Sequence, residues 1–233
     1  MALRNIAKQI QAILPEIGVA IFCTFAMSML SCFKCNLMNF LAHAHLSGKN
    51  EEVLFGNFVA DSIKGRQLLD YSPEIVQGVN LHRKIDRFTD KHFIVRRSIA
   101  SVKPDLGRYS GVAVDIFYDH FLAANWQQYA QDDLVDFSLH VYRILAKRFL
   151  ILPARNKRIL PFMMAQNWLV SYSNFYDLER VFRGMDRRTG YKSQLGKSVA
   201  VLKNNYHALE QDFSLFYPEL QKFAADELRF ISE

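Results

Sequence analysis

The stretch Leu81 to Asp90 reads Leu-His-Arg-Lys-Ile-Asp-Arg-Phe-Thr-Asp, late in a helix that Ser72-Pro73 is expected to open. In a helix His82 and Asp86 lie four residues apart and project from one face. An imidazole beside a carboxylate is half of a divalent-metal site. Arg83, Lys84 and Arg87 surround the pair with positive charge, which suits a phosphate. Taken alone, the stretch reads more simply as a solvated amphipathic helix whose His and Asp pair with each other. The rest of the chain has to supply the other half of the site.

Three further segments carry acids or imidazoles inside apolar runs. Met38-Asn-Phe-Leu-Ala-His43-Ala-His45-Leu-Ser47 reads as a short helix closed by Gly48. Its two histidines are two residues apart, so one of them at most faces a given site. Asp61 interrupts the apolar run from Val53 to Ile63, where an unpaired carboxylate is costly. Asp115 and Asp119 are four apart within Val-Asp-Ile-Phe-Tyr-Asp-His-Phe-Leu, with His120 one step round. Two acids and an imidazole in such surroundings call for partners.

The elements that must position these residues are all expected to be helices. Glu51–Gly65 is predicted as a helix with acids in its first turn, and Gly56 would let another backbone come close. Ser72 and Pro73 are a cap and a first helical residue. A short helix to Val102, a turn at Lys103–Gly107 and a helix over Ser110–Ala130 follow. The second half is read as helices over Asp133–Leu150, from Pro161 to Tyr172, Phe175–Arg188, Ser193–Phe213 and Pro218–Phe230. No strand alternation, Walker loop, dinucleotide-binding glycine pattern or nucleophile elbow occurs. The 233 residues are half hydrophobic, rich in Phe and poor in Gly and Pro, so the expected fold is a single all-α helical bundle.

Residues 1–37 differ from the rest. Arg4 and Lys8 precede an uncharged run from Ile17 to Phe33, and all three cysteines fall here, at Cys23, Cys32 and Cys35. A start of translation at Met38, a membrane anchor and a cleaved leader are the three readings. The lone Cys32-Phe-Lys-Cys35 pair lacks the further ligands a zinc site needs. The cysteine-free body suits a reducing cytoplasm. A net charge of +6 and a pI near 9.2 point to an acidic partner without choosing among nucleic acid, anionic lipid and protein.

Four blocks together resemble the acyl carrier protein phosphodiesterase family: Met38-Asn-Phe-Leu-Ala-His43-x-His45-Leu, Gly56-Asn-x-x-Ala-Asp61-x-x-Lys-Gly65, Leu81-His82-Arg83-x-Ile-Asp86-x-x-Thr-Asp90 and Asp115-x-x-x-Asp119-His120-Phe-Leu. Gln166-Asn-Trp168-Leu-Val-x-Tyr172 and Leu209-Glu-x-x-Phe213-x-x-Phe216-Tyr217-Pro218 agree. The likeness runs from about residue 38 to 230. It implies an all-helical enzyme, distantly like HD-type phosphohydrolases, although the chain has only the reversed dipeptide Asp119-His120. The implied reaction is hydrolysis of holo-acyl carrier protein to the apo form and 4′-phosphopantetheine with a divalent metal, typically manganese, magnesium or iron(II) being the alternatives.

On that resemblance the expected metal ligands are His43, Asp61, His82, Asp86 and Asp119, with His120 and Asp115 as further ligands or their supports. Asp61, His82, Asp86, Asp119 and His120 form the expected catalytic set, and Arg83 and Lys64 would hold the phosphate. The acidic carrier would dock on Arg183, Arg187 and Arg188, with Lys192 nearby, or else on Arg155, Lys157 and Arg158. No nucleic acid is expected, and a membrane only if residues 1–37 form an anchor. The same cluster would also serve an HD-like hydrolase of a nucleotide or another small phosphoester. A noncatalytic nucleic-acid-binding protein would leave the acids at Asp61, Asp115 and Asp119 without a purpose.

Overall fold

The computed structural model describes residues 40 to 232, save the side chains of Arg188, Ile231 and Ser232. Residues 1–37 and Met38 lie outside the described residues, so the three readings of the leader do too. Among the described residues there are α-helices, short 3-10 turns and no strand. None of these helices is long and apolar enough to cross a membrane.

The N-terminal half builds the site. Helix α1 spans Phe40–His45 and is buried over all but its last residue. Helix α2, Glu51–Val59, starts on Asn50, whose side chain accepts the N–H groups of Glu52 and Val53. The Arg148 guanidinium pairs with Glu51 and Glu52 at this end, tying the second half of the chain to α2. Helix α3, Pro73–Lys91, begins as expected, with the Ser72 hydroxyl accepting the Ile75 N–H. Its buried stripe of Ile75, Gly78, Val79, Leu81, His82, Ile85 and Thr89 follows the helical period, so His82 is part of the face turned inward.

Helices α2 and α3 touch backbone to backbone. A Cβ on Gly56 would lie 2.1 Å from the Ile75 carbonyl oxygen, and one on Gly78 would lie 2.1 Å from that of Val53. Only glycine permits this approach, as the sequence suggested for Gly56. Helix α4, Phe93–Leu106, leads to α5, Ser110–Ala124, which is buried on nearly every side and forms the centre of the bundle. Helices α6, Trp126–Tyr129, α7, Leu134–Lys147, α8, Ala154–Ala165, and α9, Trp168–Ser171, follow, and α10, Phe175–Arg188, and α11, Ser198–Asn204, lead to α12, Tyr206–Ser232. This last helix packs along α3, α4 and α5.

Several boundaries differ from the sequence reading. The α2 helix stops at Val59 and tightens into a 3-10 turn, Ala60–Ser62; Gly65, at φ 53°, opens a second 3-10 turn instead of closing the helix. Helix α4 carries Pro104 in its last turn, α8 contains Pro161, and α12 runs through Pro218. Each proline costs one intrahelical hydrogen bond. Burial offsets that loss in α12, where Phe213, Phe216, Tyr217 and Leu220 are all sealed in the core. The break expected at Pro218 comes instead at Asn205, between α11 and α12.

Candidate metal centre

His43 on α1 and His82 on α3 stack face to face, ring centroids 4.0 Å apart and planes 23° from parallel. Both are almost wholly buried. Between them and solvent stands Asp86, one turn after His82. One of its oxygens is 3.2 Å from His43 Nε2 and the other 3.3 Å from His82 Nε2. Asp61, at the tightened end of α2, brings a second carboxylate 3.4 Å from His82 Nε2.

The other edge of each ring is held by Asn57. Its Oδ1 is 2.8 Å from His43 Nδ1 and 3.2 Å from His82 Nδ1. Its Nδ2 donates to the His43 carbonyl at 3.0 Å and to Ser47 Oγ at 2.9 Å. A backbone carbonyl only accepts, so the amide nitrogen must face it and the amide oxygen must face the imidazoles. An oxygen there requires a proton on Nδ1 of both rings. The neutral tautomer thus leaves both Nε2 lone pairs pointing the same way, towards Asp86.

Those two Nε2 atoms are buried and make no hydrogen bond. Orphaned buried acceptors facing a carboxylate fit a cation. Two ligand atoms each about 2.1 Å from one ion, at octahedral or tetrahedral angles, lie about 3.0–3.4 Å apart, which is the spacing between these nitrogens and the Asp86 oxygens. Among the described residues, His43, His82 and Asp86 form the group whose ligand atoms all lie within 4.8 Å of one another. Asn57 supplies the outer hydrogen bond that metal-bound histidines generally have.

Charge at the cluster is strongly biased even without an ion. Burial lowers the His82 pKa, but the neighbouring Asp61 and Asp86 carboxylates outweigh it and raise it to about 9. Burial, then the charge on His82, lowers His43. Burial raises Asp86, yet His43 and His82 hold it well below the usual carboxylate range. Two stacked imidazoles do not both take a second proton, so one positive charge, on His82, already sits among these acids.

The family model described as acyl carrier protein phosphodiesterase matches residues 38–220. The chain is 33% identical over 190 residues to the acyl carrier protein phosphodiesterase of Yersinia enterocolitica, covering 81% of this chain and 98% of that one. It is 32% identical to the proteins of that name from Serratia proteamaculans, over 190 residues, and Salmonella dublin, over 189, each with 81% of this chain and 98% of the relative covered. The chain belongs to the acyl carrier protein phosphodiesterase family. No solved structure matches it.

Within this family member, the expected site residues divide into three groups. His43, His82 and Asp86 converge, with Asp61 at their edge. Asp115 is half-buried on α5 and lies near enough to feel the cluster: burial first, then Asp86, Asp90 and Asp61, push its pKa up to about 7. Asp119 and His120 do not join. Asp119 is fully buried, and its two oxygens accept the Leu41 and Ala42 N–H groups at 3.1 and 2.9 Å. It therefore caps the helix that carries His43. His120 uses Nδ1 on the Tyr172 carbonyl and Nε2 on the Tyr206 hydroxyl. His45 likewise turns away, to Tyr217.

Arg83 is exposed beside His82, and Lys64 lines a cleft that begins at Asp61. Arg183 is exposed and paired with Glu179 at 2.6 Å; Arg187 is exposed; the Arg188 side chain lies outside what is described. Asn57 is the site residue that the reading of the sequence passed over. Its signal was present, because it is a second polar residue inside the apolar run around Asp61, four positions earlier.

Proposed function

We propose that this chain hydrolyses the phosphodiester joining 4′-phosphopantetheine to a serine of holo-acyl carrier protein, releasing apo-carrier and 4′-phosphopantetheine, in the cytoplasm. The observation that carries the chemistry is the pair of buried Nε2 lone pairs, aimed together at Asp86 by one shared Asn57 oxygen. Membership of the family supplies the substrate. Likeness to HD-type phosphohydrolases is one of chemistry, paired histidine and aspartate on helices.

His43, His82 and Asp86 would hold a divalent cation, with Asp61 beside them at the edge of the cluster. The mixed imidazole and carboxylate donors suit manganese or iron(II) better than magnesium, and we assign manganese. A divalent ion supplies positive charge to the phosphoryl oxygens and makes a water acidic enough to attack at neutral pH. The chain's own residues do the rest. Asn57 keeps both rings in the ligating tautomer. Asp61, partly exposed where the cluster meets the cleft, is the carboxylate placed to accept the proton of the attacking water. Lys64 and Arg83 neutralise phosphate charge. The apolar packing of α1, α2 and α3 keeps bulk water from the buried side of the rings.

The deciding experiment incubates holo-acyl carrier protein with the full chain, with and without manganese, and weighs the carrier by mass spectrometry. Loss of the phosphopantetheine mass only with metal is expected. His82→Ala should abolish it and the bound metal together, with the helical circular dichroism retained. Intact carrier under all conditions overturns the reading. Turnover of a nucleotide in its place would favour the small-phosphoester hydrolase.

A further inference from the structure

A cleft of about 380 Å³ opens where the cluster ends. Asp61 belongs to both: its Oδ1 is 3.4 Å from His82 Nε2, and its side chain forms part of the cleft wall. The remaining wall comes from Ser62 to Lys64, from the 3-10 turn over Gly65–Asp70 and Tyr71, and from Pro153 and the start of α8. It is a shaped surface. Gln67 Oε1 accepts the Lys64 N–H at 3.0 Å, and the Tyr71 hydroxyl donates to the Ile151 carbonyl at 3.1 Å, so the turn is fixed to itself and to the connection before α8. Gly65, at φ 53°, lets the chain reverse between Lys64 and Gln67.

We infer that this cleft binds the pantetheine arm of the substrate, an inference that rests on the function proposed above. A phosphodiester lying at the cluster has two substituents. One is a protein, the other a narrow linear arm bearing a hydroxyl, two amides, a pair of methyl groups and a thiol. The cleft falls within the range of about 300–1,000 Å³ that takes small organic ligands and is far too small for a protein. Its lining offers groups that suit the arm: the Lys64 and Arg155 cations for the phosphate, the Gln67 carboxamide and the Asp70 carboxylate for its amides and hydroxyl, and Ala154 and Pro153 for its methyl groups. The arm enters past Asp61 and the carrier stays outside, which fixes which side of the phosphorus each half of the substrate occupies.

Ala154 is exposed in the first turn of α8, so Ala154→Trp places a ring in the cleft without touching the cluster. The test measures inhibition of the full-length enzyme by pantetheine, 4′-phosphopantetheine and inorganic phosphate, and calorimetric binding of pantetheine to the metal-free protein. The expected result is pantetheine binding by the wild type. Ala154→Trp should weaken pantetheine inhibition and binding at least tenfold, raise KM for holo-carrier similarly, and leave inhibition by inorganic phosphate unchanged. Pantetheine inhibition and binding within twofold of wild type in Ala154→Trp overturn the proposal, as does a wild type that binds no pantetheine. If Ala154→Trp lowers Tm by more than a few degrees, Ala154→Leu is the smaller plug for the same comparison. A wild type that leaves holo-carrier intact overturns the proposed function instead, and calorimetry with pantetheine still decides the cleft.

Discussion

Replacing Asn57 by leucine would remove the acceptor that both imidazoles share, and with it the contact that keeps one proton on each Nδ1 and turns each Nε2 towards the ion. Outer hydrogen bonds of this kind are worth about 10–100-fold in metal affinity. Asn57→Leu should therefore weaken manganese binding by that factor, and excess manganese should restore much of the lost activity; metal titration followed by the mass assay reads both. Proton release is a second consequence. At pH 7 the metal-free His82, with a pKa near 9, carries a proton, and because Nδ1–H already faces Asn57 the added proton is on Nε2. His43, lowered by burial, keeps only its Nδ1 proton and stays neutral. Binding an ion should expel about one proton, measured by calorimetry in two buffers of different ionisation enthalpy. Stability of the metal-free protein should follow the same group. A raised histidine pKa stabilises fully below its ordinary value near 6.5, and that contribution disappears as pH climbs through about 9. Asp86, depressed, contributes above its ordinary range and is lost in acid. Tm of the metal-free protein should fall from pH 6 towards pH 10.

At the scale of elements, the crossing of α2 and α3 sets the distance between Asn57 and His82. Gly78→Ala would put a methyl group 2.1 Å from the Val53 carbonyl, so the helices must part. Overpacking of this kind costs about 1–3 kcal/mol, and here it should also lengthen the Asn57–His82 contact and lower metal affinity. Gly111→Ala is the matched control, since its methyl group meets nothing nearer than Ile99 Cδ1 at 3.9 Å; it should be neutral or slightly stabilising. Thermal melts and metal titration of the two variants separate a distorted site from a merely altered helix. The sequence made much of this arrangement legible. The Ser72-Pro73 start, the His82 and Asp86 face, Gly56 as a contact and the pure helical class follow from short-range rules of capping, period and backbone freedom. The end of α2 and the prolines inside α8 and α12 did not follow, because burial over a whole helix outweighs one local signal. Asp119 shows the limit most clearly. Its apolar context marks a buried acid in need of partners, but those partners are backbone N–H groups far upstream, which no side-chain pattern reveals.

At the scale of the molecule, the net charge of +6 concerns how an acidic carrier arrives. Several of the arginines are already paired: Arg97 with Asp212, Arg148 with Glu51 and Glu52, Arg180 with Asp177, Arg183 with Glu179. Arg87 and Lys91, exposed on the helix that holds His82 and Asp86, form no ion pair among the described residues. Reversing both to glutamate should raise KM for holo-carrier at least fivefold with little change in kcat. Arg183→Glu with Arg187→Glu should do less, and the opposite order would return docking to the α10 cluster that the sequence suggested. The family match starts at Met38. A chain beginning at Met38 should accordingly fold and cleave holo-carrier at the full-length rate; loss of either property makes residues 1–37 part of the enzyme.

Helix α1 has six residues, far fewer than a helix needs to persist by itself in water. It keeps its shape because Asp119, from the central helix, holds two amide groups of its first turn, those of Leu41 and Ala42. One histidine of the cluster thus rides on a piece of chain with no conformation of its own, and its partner rides on a long helix that forms readily. The centre exists only while this turn is docked on the central helix. Completion of the fold and competence to take up metal are then a single event, and a molecule still being synthesised or partly unfolded has no site to load.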